Sequence, residues 1–220
     1  MSKISCVCVT YNRYTNLYAS IIAFLNQSYK NKELVIIDDS TNNLPTKIYN
    51  IITNNFDVIK YKKLNKKCKI GTKRNKAISL STGTYIAIWD DDDIHLEHRL
   101  QQQVDNLVCS NCDLTVVSHN TLYYFPEHNV MKRIPKIIHD RWWYKGYTCP
   151  SMVFKKSVWF KNKYPNVDVN EDYIFLKTLP KNASIHVHKS LKNPFFAYTV
   201  NKKGASSFYS YYKKTKLLAT

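Results

Sequence analysis

Only four glycines, Gly71, Gly83, Gly146 and Gly204, occur in the 220 residues. Neither a GxGxxG turn nor a Walker A loop can be assembled from them, which excludes a dinucleotide fingerprint and a P-loop. No GxSxG is present either, so a nucleophile elbow is not expected. If nucleotide phosphates bind, backbone cradling is not the main device. No apolar run reaches 18 residues, so no membrane-spanning helix is expected. The opening stretch MSKISCVCVTYNRY has no long apolar run behind its charge, so no signal peptide is expected. Carboxylates are scarce as well, with 16 Asp plus Glu against 33 Lys plus Arg, a formal charge of +17.

What is present fits one globular domain with a real core, at 44% apolar residues. Residues 1–110 read as one half and 111–200 as the other, followed by a basic tail over 201–220. Cys6 and Cys8 alternate within an apolar strand and behave as small hydrophobes on one face. The CSNC pair, Cys109 and Cys112, has metal-ligand spacing but no second pair or His pair to complete it, so structural thiols are favoured over zinc. The cysteine set fits a reducing, cytoplasmic compartment. The blandest reading of the charge is a solvated basic surface; sharper ones are phosphate-bearing substrates, peripheral contact with an anionic membrane, or nucleic acid. Heavy use of Lys, Asn and Tyr also suits an AT-rich genome, a microbe or a large DNA virus, in which case the compartment is the host cytoplasm.

The first half alternates strand and helix. KISCVCV, ELVIIDD, DVIKY and TYIAIWD read as strands, and the segments 14–28, 44–55, 71–81 and 96–108 as helices. Apolar strands alternating with helices imply a mostly parallel central sheet covered on both faces, an α/β fold. The second half is less regular, with strands at 113–119 and 121–126, a strand turning into a helix over 151–160, a helix over 171–179 and two late strands.

Open α/β sheets bind ligands at the C-terminal ends of their strands. Two strands here end in carboxylates, Asp38–Asp39 and Asp90–Asp93, and the first ends in Thr10, Tyr11 and Asn12. Four consecutive aspartates in a basic chain disfavour one another's ionisation and need solvent, a cation or separation by the backbone. A helix start accommodates one or two acidic residues. Four of them facing a second Asp pair point instead to a site for a hard cation such as Mg²⁺ or Mn²⁺, which takes carboxylate and phosphate oxygens.

The segments ISCVCVTYNR, SIIAFLNQSYKNKELVIIDDSTNN, GTKRNKAISLSTGTYIAIWDDDDIHLEHRL and NEDYIFLKTL, in that order, resemble the family 2 glycosyltransferases of the GT-A fold. The resemblance implies an inverting transfer of a sugar from a nucleotide-diphosphate donor, a UDP-sugar by family expectation, to a hydroxyl acceptor on a glycan or other molecule. It implies Thr10, Tyr11 and Asp39 at the nucleotide, Arg74 with Asn75 near the diphosphate, and Asp92 as ligand of Mn²⁺ or Mg²⁺. Asp90 or Asp91 would meet the ribose or a metal-bound water, and the register of the run stays open; Asp93 reads as a helix-entry residue or as a support behind the ligands. It also implies Asp172 as general base, with Glu171 beside it. Trp142 and Trp143 are candidates for stacking on the acceptor. The chain departs from the pattern at Ser40–Thr41, where the family often has Gly, and at Asn201, Lys202 and Lys203, where it often has a His. His186 and His188 alternate in a strand and read as structural. Two other readings remain: a sugar nucleotidyltransferase, which normally needs a Gly-rich first loop, and a nucleic-acid-binding module on a decayed transferase fold. The acidic sheet edge argues against nucleic acid lying across it.

Overall fold

In a computed structural model of the chain, residues 2–118, 122–133, 144–188 and 194–200 are described. Strand β1 (Ile4–Thr10) is buried along its whole length and pairs in parallel with β2 (Lys32–Asp38) on one side and β4 (Tyr85–Ile88) on the other. Strand β3 (Ile59–Lys63) extends the sheet beyond β2. Its Lys60 and Lys62 suit an edge strand, because lysines discourage further pairing. On the other side β9 (Tyr147–Lys155) runs antiparallel between β4 and β6 (Leu114–Ser118), and β10 (Ile185–His188) closes the sheet parallel to β6. The order is β10-β6-β9-β4-β1-β2-β3. A second, small sheet orders β5 (Ile94–His95), β11 (Phe196–Thr199), β7 (Leu122–Phe125) and β8 (Val130–Lys132).

Period-two alternation sorts the core into two layers. Ile4, Cys6 and Cys8 of β1 pack with Leu17, Ile21 and Phe24 of α1 (Tyr14–Leu25), Ile48 and Ile52 of α2 (Thr46–Asn54), and Leu100, Val104 and Leu107 of α4 (Arg99–Cys109). Val7 and Val9 face the opposite layer, with Ala77 and Ile78 of α3 (Ile70–Leu80), Val158 and Trp159 of α5 (Lys156–Lys161), and Phe175 and Leu176 of α6 (Glu171–Lys177). The cysteines at 6 and 8 share one face, as their spacing requires, and all six cysteines of the chain are free.

One boundary differs from the sequence reading. The segment after the Asp run does not enter a helix at 96. Ile94 and His95 first pair with Ala197 and Phe196, and the helix starts at Arg99. The Asp run therefore joins the two sheets. No helix among the described residues is long and apolar enough to cross a membrane.

Gly71 sets the approach of α3 to the segment before α6. A Cβ there would stand 1.8 Å from the Pro165 carbonyl oxygen. Ile70 and Gly71 donate backbone bonds to the Asp168 carboxylate and the Val167 carbonyl, and Lys69 pairs with Asp168 at 2.6 Å. This close contact brings the start of α6 against the middle of α3.

Candidate active site

The C-terminal ends of β1, β2 and β4 meet at one edge, and each is tied to the next by an ion pair or hydrogen bond. The β2 end divides its two carboxylates. Asp38 is enclosed: its oxygens accept bonds from the Ser40 amide, the Tyr61 and Tyr14 hydroxyls, and Lys63. Burial pushes its carboxyl up, but the bonds from Ser40 and Tyr61 and the Lys63 charge outweigh burial and hold it below the usual range. Asp39 sits on the site side, paired with Lys73 Nζ at 2.6 Å and accepting the Cys68 amide at 2.8 Å. Lys73 also donates to the Thr10 carbonyl. Tyr11 is half-buried beneath Lys67, whose Nζ lies 4.3 Å from the ring centre.

The first three residues of the Asp run are divided between two arginines. Asp90 faces Arg74 of α3, with Asp90 Oδ1 3.0 Å from Nη1 and Oδ2 3.2 Å from Nη2. The same guanidinium reaches Glu171 Oε1 through Nε and Nη2, both at 3.0 Å. Arg74 is thus a buried bridge from β4 to α6. Asp91 and Asp92 share Arg13 instead: Nη2 lies 2.6 Å from Asp91 Oδ1, and Nη1 lies 2.6 Å from Asp92 Oδ2. Asp91 is buried, with the Arg13 guanidinium and, more weakly, the Thr10 hydroxyl as its polar neighbours. Burial, together with the charges of Asp92 and Asp90, pushes its carboxyl up to about 7 against the pull of Arg13 and the Thr10 hydroxyl.

Of the two places open to Asp93, the structure gives it the supporting one rather than helix entry. It is buried and accepts the Thr199 amide at 2.9 Å, docking β11 against the run. His95 fixes the same turn. Arg99 Nη1 donates to His95 Nδ1, and since a guanidinium cannot accept, the proton must sit on Nε2, which donates to the Asp90 carbonyl at 3.0 Å. The ring is stacked on Trp89 at 3.9 Å between centroids.

The second pair of carboxylates opens α6. Its preceding residue, Asn170, is left-handed at φ 63° and turns the chain so that Glu171 and Asp172 face α3. Burial and the neighbouring Asp172 push Glu171 up to about 7 despite Arg74. Asp172 is half-buried and accepts the Tyr173 amide through Oδ1 at 2.7 Å, with no donor to its other oxygen among the described residues. Burial and Asp90 raise its carboxyl, opposed by Arg74. A carboxylate of raised basicity with a free oxygen, beside a cation-lined edge, is equipped to take a proton.

Comparison with known proteins bears on what this edge serves. The model of the family described as glycosyl transferase family 2 matches residues 5–164. The chain belongs to that family. Among its relatives is the Escherichia coli UDP-Glc:alpha-D-GlcNAc-diphosphoundecaprenol beta-1,3-glucosyltransferase WfaP, 25% identical over 183 residues, 82% of this chain and 72% of that one. Another is the Staphylococcus aureus poly(ribitol-phosphate) beta-N-acetylglucosaminyltransferase TarP, 26% identical over 190 residues, 83% of this chain and 55% of that one. The fold is also that of S. aureus TarS residues 1–349 in complex with UDP-GlcNAc, at TM-score 0.72 and 18% identity over 99% of this chain and 65% of that one. The mannosyltransferase PcManGT of Pyrobaculum calidifontis, in complex with GDP-Man and Mn²⁺, superposes at TM-score 0.69 and 15% identity, covering 92% of this chain and 58% of that one.

This family 2 glycosyltransferase therefore has the GT-A architecture, with Thr10, Tyr11, Asp39, Arg74, Asp90, Asp91, Asp92, Glu171 and Asp172 gathered at one sheet edge. Asn75 has a different place from the one the resemblance implies. Both ends of its amide are taken by Tyr164 and Trp159, so it ties α3 to the chain before α6. Trp142, Trp143, Asn201, Lys202 and Lys203 lie outside the described residues. Sequence reasoning missed Arg13 and Lys73, to which it gave no role. The latter was detectable: Ile70, Lys73, Arg74, Ala77 and Ile78 repeat at helical spacing, which puts both basic residues on the apolar face. Among the described residues no three His, Cys, Asp or Glu side chains form a ready-made metal cage. Asp91 and Asp92 nevertheless present two hard oxygen ligands converging on one cation, and such a pair suits Mg²⁺ or Mn²⁺, whose shells are completed by phosphate and water.

Proposed function

We propose that the chain is an inverting glycosyltransferase that moves a sugar from a nucleoside-diphosphate donor, a UDP-sugar, to an acceptor hydroxyl, with Asp172 as general base. The single observation that carries this reading is the carboxylate oxygen of Asp172 that has no donor among the described residues, on the residue next to Glu171, which Arg74 bridges to Asp90 at the donor edge. Residues 1–110 form the donor half and 111–200 the acceptor half, with Glu171 holding the boundary between them.

In the reaction Asp172 accepts the proton of the acceptor hydroxyl as that oxygen attacks the anomeric carbon from the face opposite the diphosphate. The new C–O bond forms as the bond from carbon to the phosphate oxygen breaks; the electron pair leaves with the nucleoside diphosphate, and the configuration inverts. Asp172 ends protonated and returns its proton to solvent. Tyr11 and Thr10 flank the nucleotide base with Asp39, whose carboxylate is held in place by Lys73 and the Cys68 amide. Asp90 and Asp91 lie nearest the ribose. A divalent ion at Asp92, with Asp91 beside it, would supply charge stabilisation for the departing diphosphate. The Arg74 bridge keeps Asp172 aligned by fixing Glu171.

WfaP takes UDP-Glc by name, and TarS is bound to UDP-GlcNAc, which supports a UDP donor. A screen of UDP-, GDP- and TDP-sugars for Mn²⁺-dependent hydrolysis and for stabilisation of the fold tests the reading. At least one UDP-sugar is expected to score in both assays. Silence across all three nucleotide classes removes the reading.

A further inference from the structure

Arg13 stands where two carboxylates of the Asp run converge, one of them buried (Asp91) and the other partly exposed (Asp92). Its guanidinium spans both, 2.6 Å to Asp91 and 2.6 Å to Asp92. The backbone aims it there. Asn12, the residue before it, is left-handed at φ 53°, and that conformation is pinned from three directions. The Asn12 amide donates to Ser40 Oγ at 2.7 Å, while its side-chain oxygen accepts the amides of Thr41 and Asn42. A non-glycine residue in this region costs energy that the surrounding bonds must offset. The cost is met at the one place that directs a long cation from the end of β1 across to the end of β4.

The pair left to itself would be poor. Without that guanidinium two adjacent carboxylates, one of them buried, repel each other. Arg13 satisfies them in the absence of any ligand. Yet Arg13 is itself 43% exposed at the side chain, so it has somewhere to go. A planar guanidinium also matches a diphosphate as well as it matches a carboxylate pair.

We propose that Arg13 is the resident cation of the Asp91–Asp92 pair, that it holds this place against a divalent metal, and that it yields the place when a nucleoside diphosphate offers it phosphate oxygens instead. Metal binding is then conditional on nucleotide. The ion is weakly held by the free protein because it must displace an arginine from two short ion pairs. It is held tightly once the diphosphate takes the guanidinium and adds its own oxygens to the ion. By linkage, Mn²⁺ tightens UDP by the same factor as UDP tightens Mn²⁺. The inference rests on the donor site proposed above and adds to it the order in which its parts assemble.

The test is Mn²⁺ binding to the whole chain, read from the free-ion electron paramagnetic resonance signal, with and without UDP, for wild type, Arg13→Gln and Arg13→Lys. Wild type is expected to bind Mn²⁺ weakly alone and far more tightly with UDP. Arg13→Gln is expected to bind Mn²⁺ alone roughly tenfold more tightly than wild type, and the tightening by UDP is expected to shrink by a comparable factor. Arg13→Lys keeps a charge but cannot span both carboxylates, so its gain should be smaller and in the same direction. It carries the test if Arg13→Gln does not fold. Unchanged or weaker Mn²⁺ binding without UDP in a folded variant overturns the inference. If instead wild type binds neither UDP nor Mn²⁺ under any condition, the donor site itself is wrong and the inference falls with it. Co-binding of UDP and Mn²⁺ with the same coupling in wild type and variants leaves the donor site standing and removes the role of Arg13.

Discussion

Two groups of buried carboxylates lie at opposite edges of the same sheet, and they are treated in opposite ways. At the N-terminal edge Glu33 is fully supplied. Ser5 and the Thr82 amide donate to Oε1, each at 2.6 Å, and Lys60 and Lys3 approach Oε2 at 2.8 and 3.1 Å. Burial raises its carboxyl, but Lys60, Ser5, Thr82 and Lys3 together bring it down to about 2. At the C-terminal edge Asp91 and Glu171 are pushed up to about 7, and Asp172 is raised as well. Glu33, Asp91 and Glu171 present the same chemical group at similar depth. The difference is the number of donors around it, and it separates a carboxylate that holds the fold from carboxylates kept short of partners for a ligand or a proton.

The sharpest way to break this contrast is Asp172→Asn. Turnover of the donor is expected to fall by ~10²–10⁴-fold, the usual worth of general-base assistance, with UDP affinity nearly unchanged. Thermal unfolding should be no easier than in wild type, because a carboxylate with too few donors is replaced by a neutral isostere. Full transferase activity in a folded variant would deny Asp172 its role. The mirror experiment is Glu33→Gln. It should leave kcat per folded molecule intact and cost about 2 kcal/mol of stability in urea unfolding, since Lys3 and Lys60 keep some solvent to fall back on. A loss of kcat there would blur the distinction between the edges.

A smaller effect separates the two edges by pH. The folded pKa of Glu33 is depressed, so its contribution is fully present above the ordinary carboxylate range and is lost as pH falls from about 4.5 toward about 2. The folded pKa of Glu171 is raised, so its contribution is present below the ordinary range and is lost as pH rises through about 7. Urea unfolding followed from pH 3 to pH 8 should therefore show a shallower acid limb in Glu33→Gln and a shallower decline toward neutral pH in Glu171→Gln. Identical profiles for both variants and wild type would refute these opposed environments.

Much of the contrast was legible before any coordinates. The strand ends at Thr10, Asp38–Asp39 and Asp90 follow from apolar runs stopping at polar residues, and the topology of parallel strands brings such ends together. The helix beginning at Glu171 follows from carboxylates in a first turn. The partners were not legible. Which Asp takes Arg13 and which takes Arg74 depends on rotations within a turn that His95 and Thr199 fix from 5 and 106 residues away in the chain. Spacing cannot reveal a bond to the second sheet, and this is why the sequence left Asp93 between helix entry and a supporting place, where the structure has it anchoring β11. Glu33 went unnoticed for a similar reason: as a lone acidic residue starting a strand it looks solvated, and its cage comes from Lys3, Ser5, Lys60 and Thr82 on three other segments.

The most direct measurement is a calorimetric titration of UDP into wild type, Asp92→Asn and Glu33→Gln, each with Mn²⁺ and with chelator. The C-terminal edge as donor site requires that wild type and Glu33→Gln bind UDP more tightly with Mn²⁺ than without, and that Asp92→Asn loses that dependence. Undetectable UDP binding to the folded wild type, or a Mn²⁺ dependence preserved in Asp92→Asn, would contradict it.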